Sequence, residues 1–129
     1  MEADKKVNLE DRLLDYAAGI IRLVGDIPPN RAGNHVAGQL LRSGTSPLPN
    51  HGEAQAAESR RDFVHKFKIC LKELRESRRW LRLTHRSGLL TLDQVQLLLT
   101  ETEELIRIFV TSIKTAQRDP LPGDLDAER

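Results

Sequence analysis

Residues 59–86 read SRRDFVHKFKICLKELRESRRWLRLTHR, and their periodicity decides the fold. Phe63, Phe67, Cys70, Leu74, Ser77 and Leu81 recur at alternating spacings of four and three, the seam of a helix packed in a bundle. Arg61, His65, Lys68, Lys72, Arg75, Arg79, Arg82 and Arg86 repeat at the same spacings on another side. Ser59 with Asp62 caps the start, and Ser87-Gly88 supplies the stop near Arg86. One rod of about eight turns thus carries an apolar edge and a basic ridge.

The segments on either side follow the same logic. Thr91 with Gln94 forms a capping box, after which Leu92, Val95, Leu99, Thr102, Ile106, Phe109, Ile113 and Ala116 keep a heptad rhythm. That helix ends before Asp119-Pro120, because the residue preceding proline avoids helical geometry. At the other end Asn8 caps a stripe of Leu9, Leu13, Ala17, Ile20 and Val24, stopped by Gly25 and the Pro28-Pro29 turn. Between them lies a stretch with Val36, Leu40 and Leu41 that runs into Gly44, Pro47 and Pro49. Composition alone favours a helix ending near Ser43, followed by a loop. The alternative is a kinked helix to about Ala57, with the Ser43, Thr45 and Ser46 hydroxyls satisfying the carbonyls that the prolines free.

Four amphipathic segments with short connections predict an all-α, antiparallel up-down-up-down four-helix bundle over residues 1–118, with helices near 9–25, 32–57, 59–86 and 91–118. Residues 119–129 are rich in proline, glycine and acids and read as a disordered acidic tail. No strand-like alternation competes with this reading.

The net charge of +1 conceals a segregated distribution. Residues 58–86 hold ten Lys and Arg against four Asp and Glu, whereas residues 87–129 hold four against eight. The acids of the last helix are therefore the expected counter-charge for the ridge. Cys70, the single cysteine, lies on a core seam and reads as a small buried hydrophobe rather than a reactive thiolate. No apolar run approaches the roughly 18 residues of a membrane span, and Met1–Lys6 lead into no signal-peptide core. A cytoplasmic protein that does not enter membranes is the expectation.

Catalytic chemistry finds no foothold. His35, His51, His65 and His85 are scattered, with no pair one helical turn apart, so neither a metal nor another cofactor is expected. No nucleophile elbow, glycine-rich phosphate loop or paired-carboxylate pattern occurs, and the expectation is a protein that is not an enzyme. The ridge could track a nucleic-acid backbone, since it would place a cation about every 5 Å. Its candidate contacts are Arg61, Lys68, Lys72, Arg75, Arg79 and Arg82. Ile69, Trp80 and Leu83 lie off the seam of the third helix, and Leu98 and Leu105 off that of the fourth. These five are the candidate contacts of a homo-oligomer.

The run Gln39–Ser46 (QLLRSGTS), with Asn50 and Glu53-Ala54 after it, resembles the second-helix signature of a bacterial family. Glu58–Phe63 (ESRRDF), Leu71–Glu76 (LKELRE) and Arg79-Trp80-Leu81 resemble its third-helix signature. The family is that of proteins encoded by intervening sequences of 23S ribosomal RNA genes. The resemblance implies a four-helix bundle whose second helix continues through its signature with a bend, reversing the preference for a loop. It also implies a ring-shaped homopentamer. Arg42, Ser43, Thr45, Asn50, Glu53, Arg75 and Glu76 would then be partners within the bundle that brace the bend. The accessory variability determinant of diversity-generating retroelements is similar, and is a pentameric bundle that binds nucleic acid and a reverse transcriptase. That relative is strongly basic where this chain is almost neutral. The expectation is an oligomeric structural or interaction protein; the alternative is a non-specific RNA or DNA binder.

Overall fold

The computed structural model describes residues 8–118; the proposed acidic tail lies outside them. The described chain forms α1 (Leu9–Val24), α2 (Arg31–Thr45), α3 (Pro47–Gln55), α4 (Arg60–Arg86) and α5 (Leu92–Arg118). Because α2 and α3 are two halves of one bent rod, the molecule is an all-α four-helix bundle. Cross-rod contacts set the directions. Arg12 meets Glu101 while Gly19 packs under Leu98, and Arg42 meets Glu73 while Glu53 meets Lys66. Sequence thus ascends on one rod as it descends on the next, the antiparallel arrangement.

Caps fix where each rod begins. Asn8, Asn30 and Ser59 each accept a hydrogen bond from the amide three residues on, at 3.1, 2.7 and 3.0 Å. Thr91 and Gln94 close a reciprocal capping box, with the Thr91 amide donating to Gln94 Oε1 at 2.8 Å. Gly33 packs so tightly under the Pro28 carbonyl that a Cβ would sit 1.9 Å from that oxygen. Only glycine lets this turn fold back on the first turn of α2. Gly88 has φ 84°, which ends α4 in the left-handed region.

The bend in the second rod is a one-residue interruption at Ser46, itself helical in backbone at φ −61° and ψ −37°. A loop after Ser43 is therefore not what forms. Breaking just before Pro47 puts both prolines in the first turn of α3, where amide donors have no helical partner anyway. The hydroxyls nearby do not serve the carbonyls the prolines free. Ser43 and Thr45 bond back to the Leu40 and Leu41 carbonyls, and the Asn50 amide group spans Ser46 by bonding its carbonyl and its hydroxyl.

The core holds Leu13, Ile20, Leu40, Phe67, Leu74, Leu81, Val95, Leu105 and Phe109. Phe67 stacks on Phe63 at 4.3 Å and meets Phe109 at 4.8 Å. On α5 the predicted seam turns inward at Val95, Thr102, Ile106, Phe109, Ile113 and Ala116, while Leu92 is exposed and Leu99 half-buried; the inward face is wider than the seam and also encloses Leu105. Gly44 lies against Ile20, where a Cβ would meet side-chain carbons at 2.7–3.0 Å, so the first two rods approach closely here.

Beside that contact, four buried hydroxyls, one from each rod, form a polar layer. Tyr16 Oη lies 2.6 Å from Thr102 Oγ1, and Thr102 donates to the Leu98 carbonyl at 2.5 Å, so the Tyr16 proton goes to Thr102. Ser77 Oγ is 2.9 Å from Ser43 Oγ and 3.0 Å from the Glu73 carbonyl, and it stands near enough to the Tyr16 hydroxyl to oppose the rise in its pKa. Burial pushes the Tyr16 phenol up to about 12, so it stays a neutral donor.

His51, in α3, is only 4% exposed and packs 5.8 Å from Phe67. Its Nε2 lies 3.2 Å from the Gln55 side-chain amide, and its Nδ1 is buried without a partner among the described residues. Burial lowers its pKa from the usual 6.5, with Glu10 of α1 opposing.

Two expectations follow. Phe67→Ala should reduce stability by about 3–5 kcal/mol, read from denaturant midpoints, because three rings lose a common neighbour. His51 binds its proton more weakly folded than unfolded, so the stability it contributes is fully present above pH 6.5 and lost as pH falls below that value. Thermal midpoints measured from pH 7.5 down to 5.5 should fall, and His51→Phe should flatten that slope. Parallel slopes would assign the loss to other groups.

Candidate nucleic-acid interface and interaction surfaces

The ridge exists as one continuous exposed edge. Arg61, His65, Lys68, Lys72, Arg75, Arg79, Arg82 and Arg86 are all exposed along α4. Among the described residues none of the eight forms an ion pair. The helix positions them: Phe67, Cys70, Leu74, Ser77 and Leu81 turn inward, which leaves the positions between them facing water.

The acids that were expected to neutralise the ridge are committed elsewhere. On α5, Glu101 receives Arg12 at 3.0 and 2.7 Å, Glu103 receives Arg78 at 3.0 Å, and Glu104 receives Arg107. On α4 itself, Glu73 takes Arg42 Nη1 at 3.0 Å and Glu76 takes both Arg42 Nη2 and, at 3.2 Å, the Trp80 indole N–H. The last helix therefore does not supply the counter-charge of the ridge.

The signature residues divide. Arg42 bridges to Glu73 and Glu76, Ser43 to Ser77, and Glu53 to Lys66 at 2.7 Å, all between the bent rod and α4. Thr45 and Asn50 bond within the bent rod. Arg75 does not join them, being exposed and unpaired on the ridge. That corrects its assignment as a brace, because its position on α4 points away from the bend.

The candidate subunit contacts also separate. Leu105 is 0% exposed and belongs to the chain's own core, so no partner can reach it. Trp80 is half-buried, edge-on to His35 at 5.9 Å. Leu98 is half-buried over Gly19, and Ile69 is half-buried too. Leu83 remains open, and Leu14, Ile21, Leu41, Leu92 and Leu97 join it, all between 39% and 84% exposed.

Among the described residues no group of three or more His, Cys, Asp or Glu could hold a metal ion, and no helix is long and apolar enough to cross a membrane. Burial raises the Cys70 thiol to about 12, which keeps it protonated. Sequence reasoning missed Tyr16, and it reads Leu14 and Ile21, one heptad apart beside the seam of α1, as broadening the core stripe, whereas both are exposed.

Comparison with known proteins agrees with this architecture. No curated protein matches the chain. Among solved structures, a protein of unknown function from the S23 ribosomal protein family of Bacteroides thetaiotaomicron superposes with a TM-score of 0.78 at 33% identity, covering 83% of this chain and 99% of that one. The family model for 23S rRNA-intervening sequence proteins matches residues 6–111, and with the bent rod and its Arg42 clamp in place, the chain belongs to that family.

Proposed function

We propose that this chain works without catalysis, as an interaction protein that assembles with copies of itself into a ring, the pentamer implied by the family resemblance. The observation that carries the reading is the set of large aliphatic side chains left in water after the core has closed. Two of them stand in charged surroundings of opposite sign. Leu14 lies one turn from Asp11 and beside Asp15 on α1, whereas Leu83 lies one turn from Arg79 and Arg86 and beside Arg82 on α4. These rods are diagonal in the bundle, so the two patches face apart. A contact of one patch with the other is head-to-tail, the kind that generates a closed ring.

A second reading rests on the unpaired ridge: attachment to RNA or DNA backbone through Arg61, Lys68, Lys72, Arg75, Arg79 and Arg82. Aromatic rings are not interleaved with these cations, so the mode is phosphate contact without base stacking.

Light scattering on the purified protein should give five times the chain mass; a monomer overturns the assembly reading. Asp15→Lys and Arg82→Glu should each lower the assembled mass, and the double variant should recover it. Loss without recovery would place the contact on other faces. For the ridge, titration with labelled single- and double-stranded oligonucleotides at two salt concentrations should show affinity falling steeply with salt. Lys68→Gln with Lys72→Gln should reduce the logarithmic salt slope by about two. Absence of binding at low salt removes this reading.

A further inference from the structure

The groove between α4 and α5 gathers cations in a way that the ridge alone does not account for. Two adjoining cavities of about 410 and 450 Å³ lie along it and share Lys68 and Gln117. Arg61 and His65 line the first, while Lys72 and Arg75 line the second. Lys114 of α5 stands on the opposite wall of the second cavity. Cations therefore face this groove from two helices, whereas beyond Arg75 the ridge is a single edge. No carboxylate lines either cavity among the described residues. On α5, Glu101, Glu103 and Glu104 are already engaged by Arg12, Arg78 and Arg107.

The floor and the walls together select the kind of occupant. Val64 and Leu71 are each 9% exposed and Ile113 is 6% exposed, so the floor is already closed by the chain's own packing. An apolar side chain laid on it would remove little further surface from water. Attraction into the groove must therefore come from charge. Lys68, Lys72, Arg75 and Lys114 share one cavity, and a low-dielectric floor strengthens their field. A single carboxylate offsets one of the four, and a lone phosphate carries only about two charges near neutral pH. Phosphoryl groups linked in a chain supply more charge on one small ligand. The guanidinium of Arg61 is a fork suited to phosphoryl oxygens, and the Gln117 amide adds a neutral donor between the two cavities. Each cavity also falls within the roughly 300–1,000 Å³ of small-ligand sites.

We propose that the α4–α5 groove binds a small oligophosphate, an anion of three or more linked phosphoryl groups, between Arg61, Lys68 and Lys72 on one wall and Lys114 on the other. The site is built within one chain and uses only the grooved end of the ridge, leaving Arg79, Arg82 and Arg86 outside it. It goes beyond attachment to RNA or DNA backbone and does not depend on that reading.

Calorimetric titration of the full chain at about 0.15 M salt tests this with inorganic tripolyphosphate, adenosine triphosphate and orthophosphate as probes. Salt at that level screens charges over about 8 Å, and Arg79 and Arg82 lie about 16 and 21 Å from Lys68 along α4. Tripolyphosphate should bind once per chain, at least about tenfold tighter than orthophosphate. Lys68→Gln with Lys114→Gln should weaken it at least about tenfold. Arg79→Gln with Arg82→Gln removes the same charge and should change it by less than about twofold. All four side chains are exposed, so the fold should survive both pairs. Equal affinity for tripolyphosphate and adenosine triphosphate assigns the site to the phosphate chain alone, and tighter adenosine triphosphate assigns it to a free nucleotide; both support the proposal. Absence of tripolyphosphate binding overturns it, and so does equal weakening by the two pairs. Oligonucleotide binding that persisted in either of those cases would leave the nucleic-acid reading of the ridge standing by itself.

Discussion

A hydroxyl enclosed in an apolar bundle must find a partner, and leaving one unpaired costs about 1–3 kcal/mol. Here Ser43, Tyr16, Ser77 and Thr102, one from each rod, meet at a single level. Sliding a rod by a turn would move its member about 5.4 Å along the axis and break the cross-rod bond; Ser43, Ser77 and Thr102 each also bond a carbonyl of their own helix, so the hydroxyl that would be left unpaired is that of Tyr16. Leucine packing tolerates rearrangement, whereas the Tyr16 hydroxyl finds its Thr102 partner in one register. Gly44 sits beside it, giving the first two rods a close approach at this level.

Once the register is set, the charged residues sort themselves. Arg42 comes opposite Glu73 and Glu76, and Arg12 opposite Glu101, so acids near α4 are engaged by cations from other rods. Such partly exposed pairs contribute little each, typically up to about 1 kcal/mol. Their larger effect is subtractive. By holding the carboxylates on other faces they leave a one-sided cationic edge on a chain whose net charge is only +1.

The bundle was legible because seam positions repeat, and caps such as Ser59 and Thr91 are local chemistry that sequence displays. The bend was harder. Pro47 and Pro49 look like breakers, and only their shared placement in the first turn of α3 makes them harmless; composition cannot express that, although the family signature did. Leu105 was misplaced because heptad bookkeeping fixes a stripe's centre but not its width. The inward face of α5 extends far enough to enclose both Leu105 and Ile106. The hydroxyl layer left a trace in Ser77 and Thr102 at seam positions, yet Tyr16 could be joined to them only in three dimensions. The ridge was plain in the sequence, but its lack of ion pairs among the described residues was not, since that depends on where each acid of α5 turns.

The two ends of the ridge stand in different surroundings, and this separates what they can do. From Arg61 to Arg75 the cations border a groove with an apolar floor, where a bound anion would be partly dehydrated and its charge pairs strengthened. From Arg79 to Arg86 they surround the exposed Leu83 on an open face. Burying Leu83 beneath a neutral surface would strip water from three guanidinium groups without compensation, an expensive outcome. A surface that supplies carboxylates beside an aliphatic side chain avoids this, and α1 offers one in Asp11, Leu14 and Asp15. In the assembly proposed above, the positive edge would therefore discriminate rather than merely attract: apolar surfaces lacking acids would be disfavoured there, and those carrying them would be oriented.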